Sequence, residues 1–316
     1  MAAPTVMRIH HTAPPNHQIT MALHEFALDV ADSTQGRVTV DVVTKRTGRP
    51  IVEPERYLEA VKSGEIEAAS MPNFMWPIPE MNFSEVPYYF TSAAQVREFP
   101  HSKAAQLLDD KVAQHGVQTL AWLFVTRSTV FTSNHAPVVN PPDLAGKRIA
   151  TVNAFGQTIF DPIKAQPVVV YSTLLPKAAA SNEVDVIMTD VASATGLKLY
   201  EAHKFATVAP FFSAYYHLFV NPKWLAALPS RDRRAVLASA RKLEENSFVF
   251  TEARAAAAPD VLREGGMTVR IQTSEEAAAW AAALKEPALK AFREQSPDAD
   301  ELTRRLAVLG KVASGH

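Results

Sequence analysis

The chain has 316 residues, enough for two domains each with its own core. Its 32 Lys and Arg against 33 Asp and Glu leave a net charge of −1, which offers no field for nucleic acid or anionic lipid, so neither is expected as a partner. Cysteine is absent, which removes disulfides, thiol catalysis and thiolate-bound metals without fixing a compartment.

No stretch reaches the ~18 uninterrupted apolar residues of a membrane span. The longest candidate, 208–220, is broken by Pro210, Ser213 and His217, so direct membrane insertion is not expected. Met1-Ala2-Ala3-Pro4 runs straight into a strand. Small residues there resemble the start of a chain cut at an Ala-x-Ala site, so the sequence reads as a mature chain with its signal peptide removed and a Met added.

Residues 6–11 alternate as a strand, Thr12-Ala13-Pro14-Pro15-Asn16 turns, and Ile19, Leu23, Phe26, Ala27 and Val30 form the apolar stripe of a helix. A second strand covers 37–42, a helix 54–63 and a third strand 66–70. This β-α-β opening predicts a largely parallel sheet. A loop rich in Pro and aromatics, 71–79, can present rings to a cleft. A helix over 102–115 and an apolar strand over 119–125 complete the first unit, and the pattern then restarts.

Strands are predicted at 127–132, 148–152, 167–170 and 184–188, with helices over 155–165 and 171–182, the second weakened by Pro176. Residues 211–220 return to the first unit. A long helix over 230–263, with Ser230 as N-cap and Asp232 in its first turn, ends at Gly265-Gly266. A strand over 267–271 and helices after Thr273 and Ser296 close the chain.

No catalytic constellation stands out. There is no Gly-x-Ser-x-Gly, no Gly-x-Gly-x-x-Gly and no phosphate loop. The pairs Asp109–Asp110 and Glu244–Glu245 read as solvated helix faces. His10, His11 and His17 invite a metal reading, but neighbours on a strand point to opposite faces and no carboxylate sits at a ligand spacing. No metal and no cofactor are expected.

One stretch carries a specific likeness. Pro142-Asp143-Leu144-Ala145-Gly146-Lys147-Arg148-Ile149-Ala150-Thr151-Val152-Asn153 resembles the "DLKGLKIRVP" segment of the solute-binding proteins of TRAP (tripartite ATP-independent periplasmic) transporters, the DctP-like family. Further segments fall in the same order. Glu59–Glu67 is similar to "EGVQLGTLDMA", Val86-Pro87-Tyr88-Tyr89-Phe90 to "DLPFLF", and Asn182-Glu183-Val184-Asp185 to "TGVVDG". Tyr200–Phe205 is similar to "YEVQKY" and Asn221–Pro229 to "NKKFWDSLP".

The resemblance implies an α/β, two-domain, periplasmic-binding-protein-like fold with a ligand cleft between the domains and a long bridging helix in its C-terminal part. Domain I would be 1–124 with about 214–250, and domain II about 125–213 with 251–316, the chain crossing near 124–127 and 211–216. It implies a periplasmic, monomeric receptor, not an enzyme, that delivers a small organic acid to the permease subunits of its transporter. Alternatives are the same fold binding a neutral or cationic solute with Asp190 or Glu53 as counter-charge, a receptor sensing its ligand for a signalling partner, or an α/β enzyme of unknown reaction.

The family's carboxylate-binding arginine falls here at Ala150, and the arginine that precedes its "TSN" falls at Thr129, with Thr132-Ser133-Asn134 following. Arg127, two residues earlier on the predicted strand, shares a face with that register, and its fork suits a carboxylate. "DGQEN" becomes Asp185 to Asp190, so Met188 and Thr189 replace a polar pair, and the pocket phenylalanine falls at Ser172 beside Tyr171. The expected ligand-binding set is Arg127, Asn153, His11, Thr12, Asn73, Phe74, Trp122, Phe155, Tyr171, Thr189, Asp190 and Phe212. This pocket is less polar than the family's, and an acid with an apolar or flat body suits it.

Overall fold

The computed structural model describes residues 3–13, 17–44, 51–151 and 155–310. Strand β1 (Thr5–His11) leads to helix α1 (Gln18–Ser33), which buries Ile19, Leu23, Phe26 and Val30. Strand β2 (Val38–Val43), helix α2 (Tyr57–Ser63), strand β3 (Ala68–Pro72), helices α3 (Ala93–Glu98) and α4 (Lys103–Gln114), and strand β4 (Gln118–Thr126) come next. Arg127 and Ser128 alone connect β4 to β5 (Thr129–Ser133), the first strand of the second sheet.

That second unit adds β6 (Arg148–Thr151), α5 (Phe155–Ile159), β7 (Gln166–Val169), α6 (Leu175–Ala180), β8 (Val186–Asp190), α7 (Val191–Gly196) and β9 (Phe205–Ala209). The chain then returns through β10 (Ala214–Val220) and α8 (Pro222–Ala227) to the long helix α9 (Ser230–Glu264), followed by β11 (Thr268–Ile271), α10 (Ser274–Gln295) and α11 (Ala299–Leu306). The first sheet has the order β2-β1-β3-β10-β4 and the second β11-β9-β5-β8-β6-β7. Each is mainly parallel with one inserted antiparallel strand: β10 runs against β3 and β4, and β5 against β8 and β9. Both antiparallel strands lie next to a crossing, because a chain that leaves one sheet enters the other from the opposite end.

Several expectations shift for local reasons. The helix over 155–165 stops at Ile159, since Pro162 disfavours helical backbone before it and Lys164 is left-handed at φ 57°. In 171–182 a 3-10 turn precedes α6, and Pro176 sits in the first turn of that helix, where its missing N–H is not needed. The long helix is capped at Pro229, with no side-chain cap from Ser230. Strand β5 begins at Thr129, so Arg127 lies in the link and the shared-face argument does not apply to it.

Helix α9 is 35 residues long and serves three purposes. Its Val236, Ala240 and Leu243 join the core formed with β1 and α1, while Ala258 and Leu262 join the core under the second sheet. Between these stretches it covers the open edge of β4. The Trp122 N–H donates to Glu244 Oε1 (2.9 Å), the Phe124 N–H to Ser247 Oγ (3.0 Å), and the Thr251 hydroxyl to the Phe124 carbonyl (2.8 Å). Glu244, Ser247 and Thr251 are three and four residues apart, one stripe of a helix. Each buried backbone group left without such a partner would cost about 1–3 kcal/mol.

These contacts correct the solvated reading for one member of each carboxylate pair, Asp109 and Glu244, while Asp110 and Glu245 are exposed as expected. Asp109 accepts from the Thr119 hydroxyl (2.7 Å) and from Trp122 Nε1 (3.0 Å), and burial raises its pKa. Burial pushes the Glu244 carboxyl up to about 7, against the Trp122 N–H that favours its charge.

A third core joins both units. Phe160 stacks on Phe211 (5.8 Å between ring centres), Phe131 stacks on Trp280 (5.3 Å), and Phe124 and Tyr215 continue the cluster into the first sheet. The C-terminal helices seal it: α10 buries Trp280, Leu284 and Phe292, and α11 packs on α4. Lys111 holds that end by bridging Glu80 (3.2 Å) and Asp298 (2.6 Å).

The long helix can be probed at its middle and at its carboxyl end. Because the folded pKa of Glu244 is raised, its contribution to stability is present below the ordinary glutamate range and is lost as pH rises through about 7. Glu244→Gln keeps an acceptor for the Trp122 N–H, so its Tm relative to wild type should rise by about 2 °C or more between pH 5 and pH 8, read by calorimetric melts at both. At the carboxyl end, a Cβ on Gly265 would lie 2.5 Å from the Tyr200 ring. Gly265→Ala should therefore lower stability by about 1–3 kcal/mol, measured by urea unfolding.

Candidate functional site

The candidate site is built from the carboxyl end of β1 with its neighbour β3 in one sheet and from the carboxyl end of β8 in the other, whose Asp190 acts electrostatically on the first. His11 is the last residue of β1, its register partner on β3 is Ser70, and Asp190 ends β8. His17, before α1, and Tyr216, on β10, lie on the first side, yet both lie in the field of Asp190. His11, His17 and Tyr216 form one ring cluster, with His11 5.2 Å and His17 5.9 Å from Tyr216.

Hydrogen bonding fixes what these groups can do. His11 Nδ1 is 3.4 Å from the Ser70 carbonyl, which can only accept, so the proton resides on Nδ1 and Nε2 is an acceptor. That Nε2 and the Ser70 hydroxyl are buried with no partner among the described residues. Burial pulls the His11 imidazole down to about 3, with His17 reinforcing it, so the ring is neutral at physiological pH. His17 Nδ1 accepts the Ile19 N–H (3.3 Å), and its pKa is lowered by burial, with Asp190 opposing and Arg254 of α9 assisting. The Thr12 hydroxyl donates to the Tyr216 hydroxyl (3.3 Å), and burial pushes that phenol up to about 12.

On the facing side Asp190 Oδ1 accepts the Ser193 N–H (2.9 Å) at the start of α7. The Val191 N–H donates to the Ser128 carbonyl (3.3 Å), which ties β8 to the β4–β5 link. In that link Arg127 is held by Glu252 of α9: its Nε donates to Oε1 (3.2 Å) and its Nη2 to Oε2 (3.0 Å). Among the described residues no group of three or more His, Asp or Glu could hold a metal ion.

His11 and Thr12 thus pack with Tyr216, on which Asp190 acts electrostatically, whereas the Arg127 side chain is held by Glu252, and only the backbone of its neighbour Ser128 reaches the end of β8. Thr189 is buried on β8 beside Val130, and Phe212 is half-buried with its N–H on the Thr129 hydroxyl (3.2 Å). Phe74 is half-buried outside the core clusters, and Tyr171 is 70% exposed beyond the end of β7. Asn153 lies outside the described residues.

Three expected residues are instead built into the framework. Asn73 is fully buried, with its amide nitrogen on the Met81 carbonyl and on Ser84 Oγ (3.0 Å) and its oxygen accepting the Tyr215 N–H (3.1 Å). Trp122 is buried against Phe99, Tyr215 and His217, and Phe155 packs toward Phe292 of α10. Ala150 is fully buried in the cluster that includes Leu175 and Ala178 of α6, so the small side chain is matched by close packing.

His17, Tyr216 and Arg254 belong to the cluster but are absent from the expected set. His17 carries a signal in the sequence, as a polar residue just before a helical stripe. Tyr216 and Arg254 carry none, because each is one polar residue in an amphipathic element whose register against the other sheet is set by tertiary packing.

A family model described as bacterial extracellular solute-binding protein, family 7 (DctP) matches residues 9–295. A solute-binding protein of Chromohalobacter salexigens is 22% identical over 303 residues, covering 92% of this chain and 85% of its own. Among solved structures, a TRAP periplasmic solute-binding protein of Ochrobactrum anthropi, with its C-terminus bound in its ligand-binding pocket, superposes with a TM-score of 0.86 at 19% identity, covering 99% of this chain and 97% of that one. DctP7 of Bordetella pertussis, an extracytoplasmic solute receptor binding pyroglutamic acid, gives a TM-score of 0.83 at 20% identity over 96% of this chain and 99% of that one. Two sheets joined by short crossings and one bridging helix are thus a shared architecture, and the chain belongs to the family 7 (DctP) bacterial extracellular solute-binding proteins, which are receptors and not enzymes.

Proposed function

We propose that this protein is the periplasmic receptor of a TRAP transporter and captures a small organic acid between its two sheets for delivery to the membrane permease subunits. The observation that carries the reading is the family match over 9–295, in a chain whose two sheets are coupled at their strand ends by the action of Asp190 on Tyr216, which packs with His11 and Thr12. Solved relatives of the fold hold succinate, D-glucuronate or orotic acid as well as pyroglutamic acid, which supports an acid here.

In this reading Arg127 meets the carboxylate, replacing the family arginine lost at Ala150. Neutral His11 and the Thr12 and Tyr216 hydroxyls meet the rest of the solute. Phe74 and Phe212 supply apolar surface, and Thr189, Asp190, Tyr171 and Asn153 complete the lining. Domain I comprises 1–124 with about 214–250, and domain II about 125–213 with 251–316, rotating about the crossings at 124–127 and 211–216. The receptor works as a monomer.

Closure is tested by small-angle scattering: the radius of gyration should fall on saturation with a bound acid, and identical profiles would count against it. The anchor is tested by calorimetry on Arg127→Ala. Truncating a buried charged hydrogen bond costs about 2–5 kcal/mol, so affinity for the acid should fall at least ~30-fold. The Arg127–Glu252 pair is partly exposed, at 34% and 29%, and such pairs contribute about 0–1 kcal/mol, so Tm should fall by only a few degrees, roughly. Unchanged affinity would remove Arg127 from the site and favour a neutral or cationic solute with Asp190 as counter-charge.

A further inference from the structure

The Arg127 fork has two usable edges, and the structure fills one of them. Nε and Nη2 are taken by Glu252 at 3.2 and 3.0 Å, whereas Nη1 has no partner among the described residues. A guanidinium carries five N–H groups in one plane, so a carboxylate on the Nε/Nη2 edge leaves the Nη1/Nη2 edge able to grip a second one. Both side chains are partly exposed, so the pair is not sealed off from solvent.

The backbone on each side of the pair is pinned. The Thr126 hydroxyl bonds the Ser128 carbonyl and accepts the Ser128 N–H, both at 2.8 Å, closing the link into a tight loop. One residue before Glu252, Thr251 donates to the Phe124 carbonyl (2.8 Å), which fixes α9 against β4. Glu252 is therefore placed by the helix that spans both sheets, and Arg127 by the shortest crossing between them.

We propose that Glu252 is a positioning residue that holds Arg127 by one edge and presents the other to the carboxylate of the solute. This rests on the reading of the cleft as an organic-acid site, and it deepens that reading by making the site specific for an arginine. A lysine at 127 would offer a single cationic atom, and Glu252 at about 3 Å would occupy it. Charge alone is then insufficient, because the anchor must satisfy two carboxylates at once.

The test is a mutant set titrated by calorimetry with whichever of succinate, D-glucuronate, orotate and pyroglutamate binds the wild-type protein. Arg127→Ala should lose at least ~30-fold in affinity, and Arg127→Lys should fall within about 3-fold of it. Arg127→Lys with Glu252→Gln should recover about 10-fold or more, because the ammonium is released to the solute. The recovery should appear for the acid and not for its methyl ester, which a general repacking of the link would not distinguish. Wild-type affinity in Arg127→Lys, or no recovery in the double variant, would overturn the role of Glu252 while leaving Arg127 as the anchor. Full affinity in Arg127→Ala, or no binding of any of the four acids to wild type, would overturn the acid reading and the role of Glu252 together.

Discussion

The open edge of β4 is the constraint on which the rest of the structure depends. A sheet that ends in an uncovered strand leaves N–H and C=O groups without partners and exposes a template for unwanted pairing. Here the edge is closed by the side chains of Glu244, Ser247 and Thr251 on α9. Covering the edge obliges the helix to run along β4 to the point where the chain leaves the first sheet, and its continuation beyond that point packs into the core of the second. The helix is long because it meets both demands with one axis.

The same placement puts charged groups of α9 beside the crossing. Glu252 lies one residue after the last of the edge contacts and meets Arg127; Arg254, two residues further on, lies in the field of His17. Charges of opposite sign are paired here: Arg127 binds Glu252, and Asp190 and Arg254 act on His17 with opposite sign. Burial keeps the His11 imidazole neutral, so its Nε2 is an acceptor without charge.

Much of the architecture is legible in the chain. Alternation in 6–11 and 119–125, the stripe of α1, and the long run ended by Gly265 each arise from side-chain periodicity, which is local. The likeness around Pro142 to Asn153 extends this to a two-sheet receptor. The strand over 205–209 is not legible, because its five residues, Phe205 to Ala209, are apolar except for Thr207 and too few to be told from a buried turn or helix end. The site is legible in part. His11, Thr12 and Asp190 stand at strand ends, which sequence order identifies, whereas Asn73 and Trp122 look the same in sequence whether they line a cleft or close a core.

By itself, the sequence determined most of the order of elements and the family, and it placed an alanine at 150 where the resemblance leads one to expect an arginine, because these depend on residue identity and short-range pattern. Only the tertiary structure decided that Asp109 and Glu244 are half-buried and hydrogen-bonded rather than solvated, that Tyr216 packs with His11 and Arg254 acts on His17, and that Arg127 is gripped on one edge by a carboxylate 125 residues away. Those outcomes depend on how a helix and a crossing strand are docked, and docking is settled by the collective burial of distant apolar faces, which no local pattern encodes.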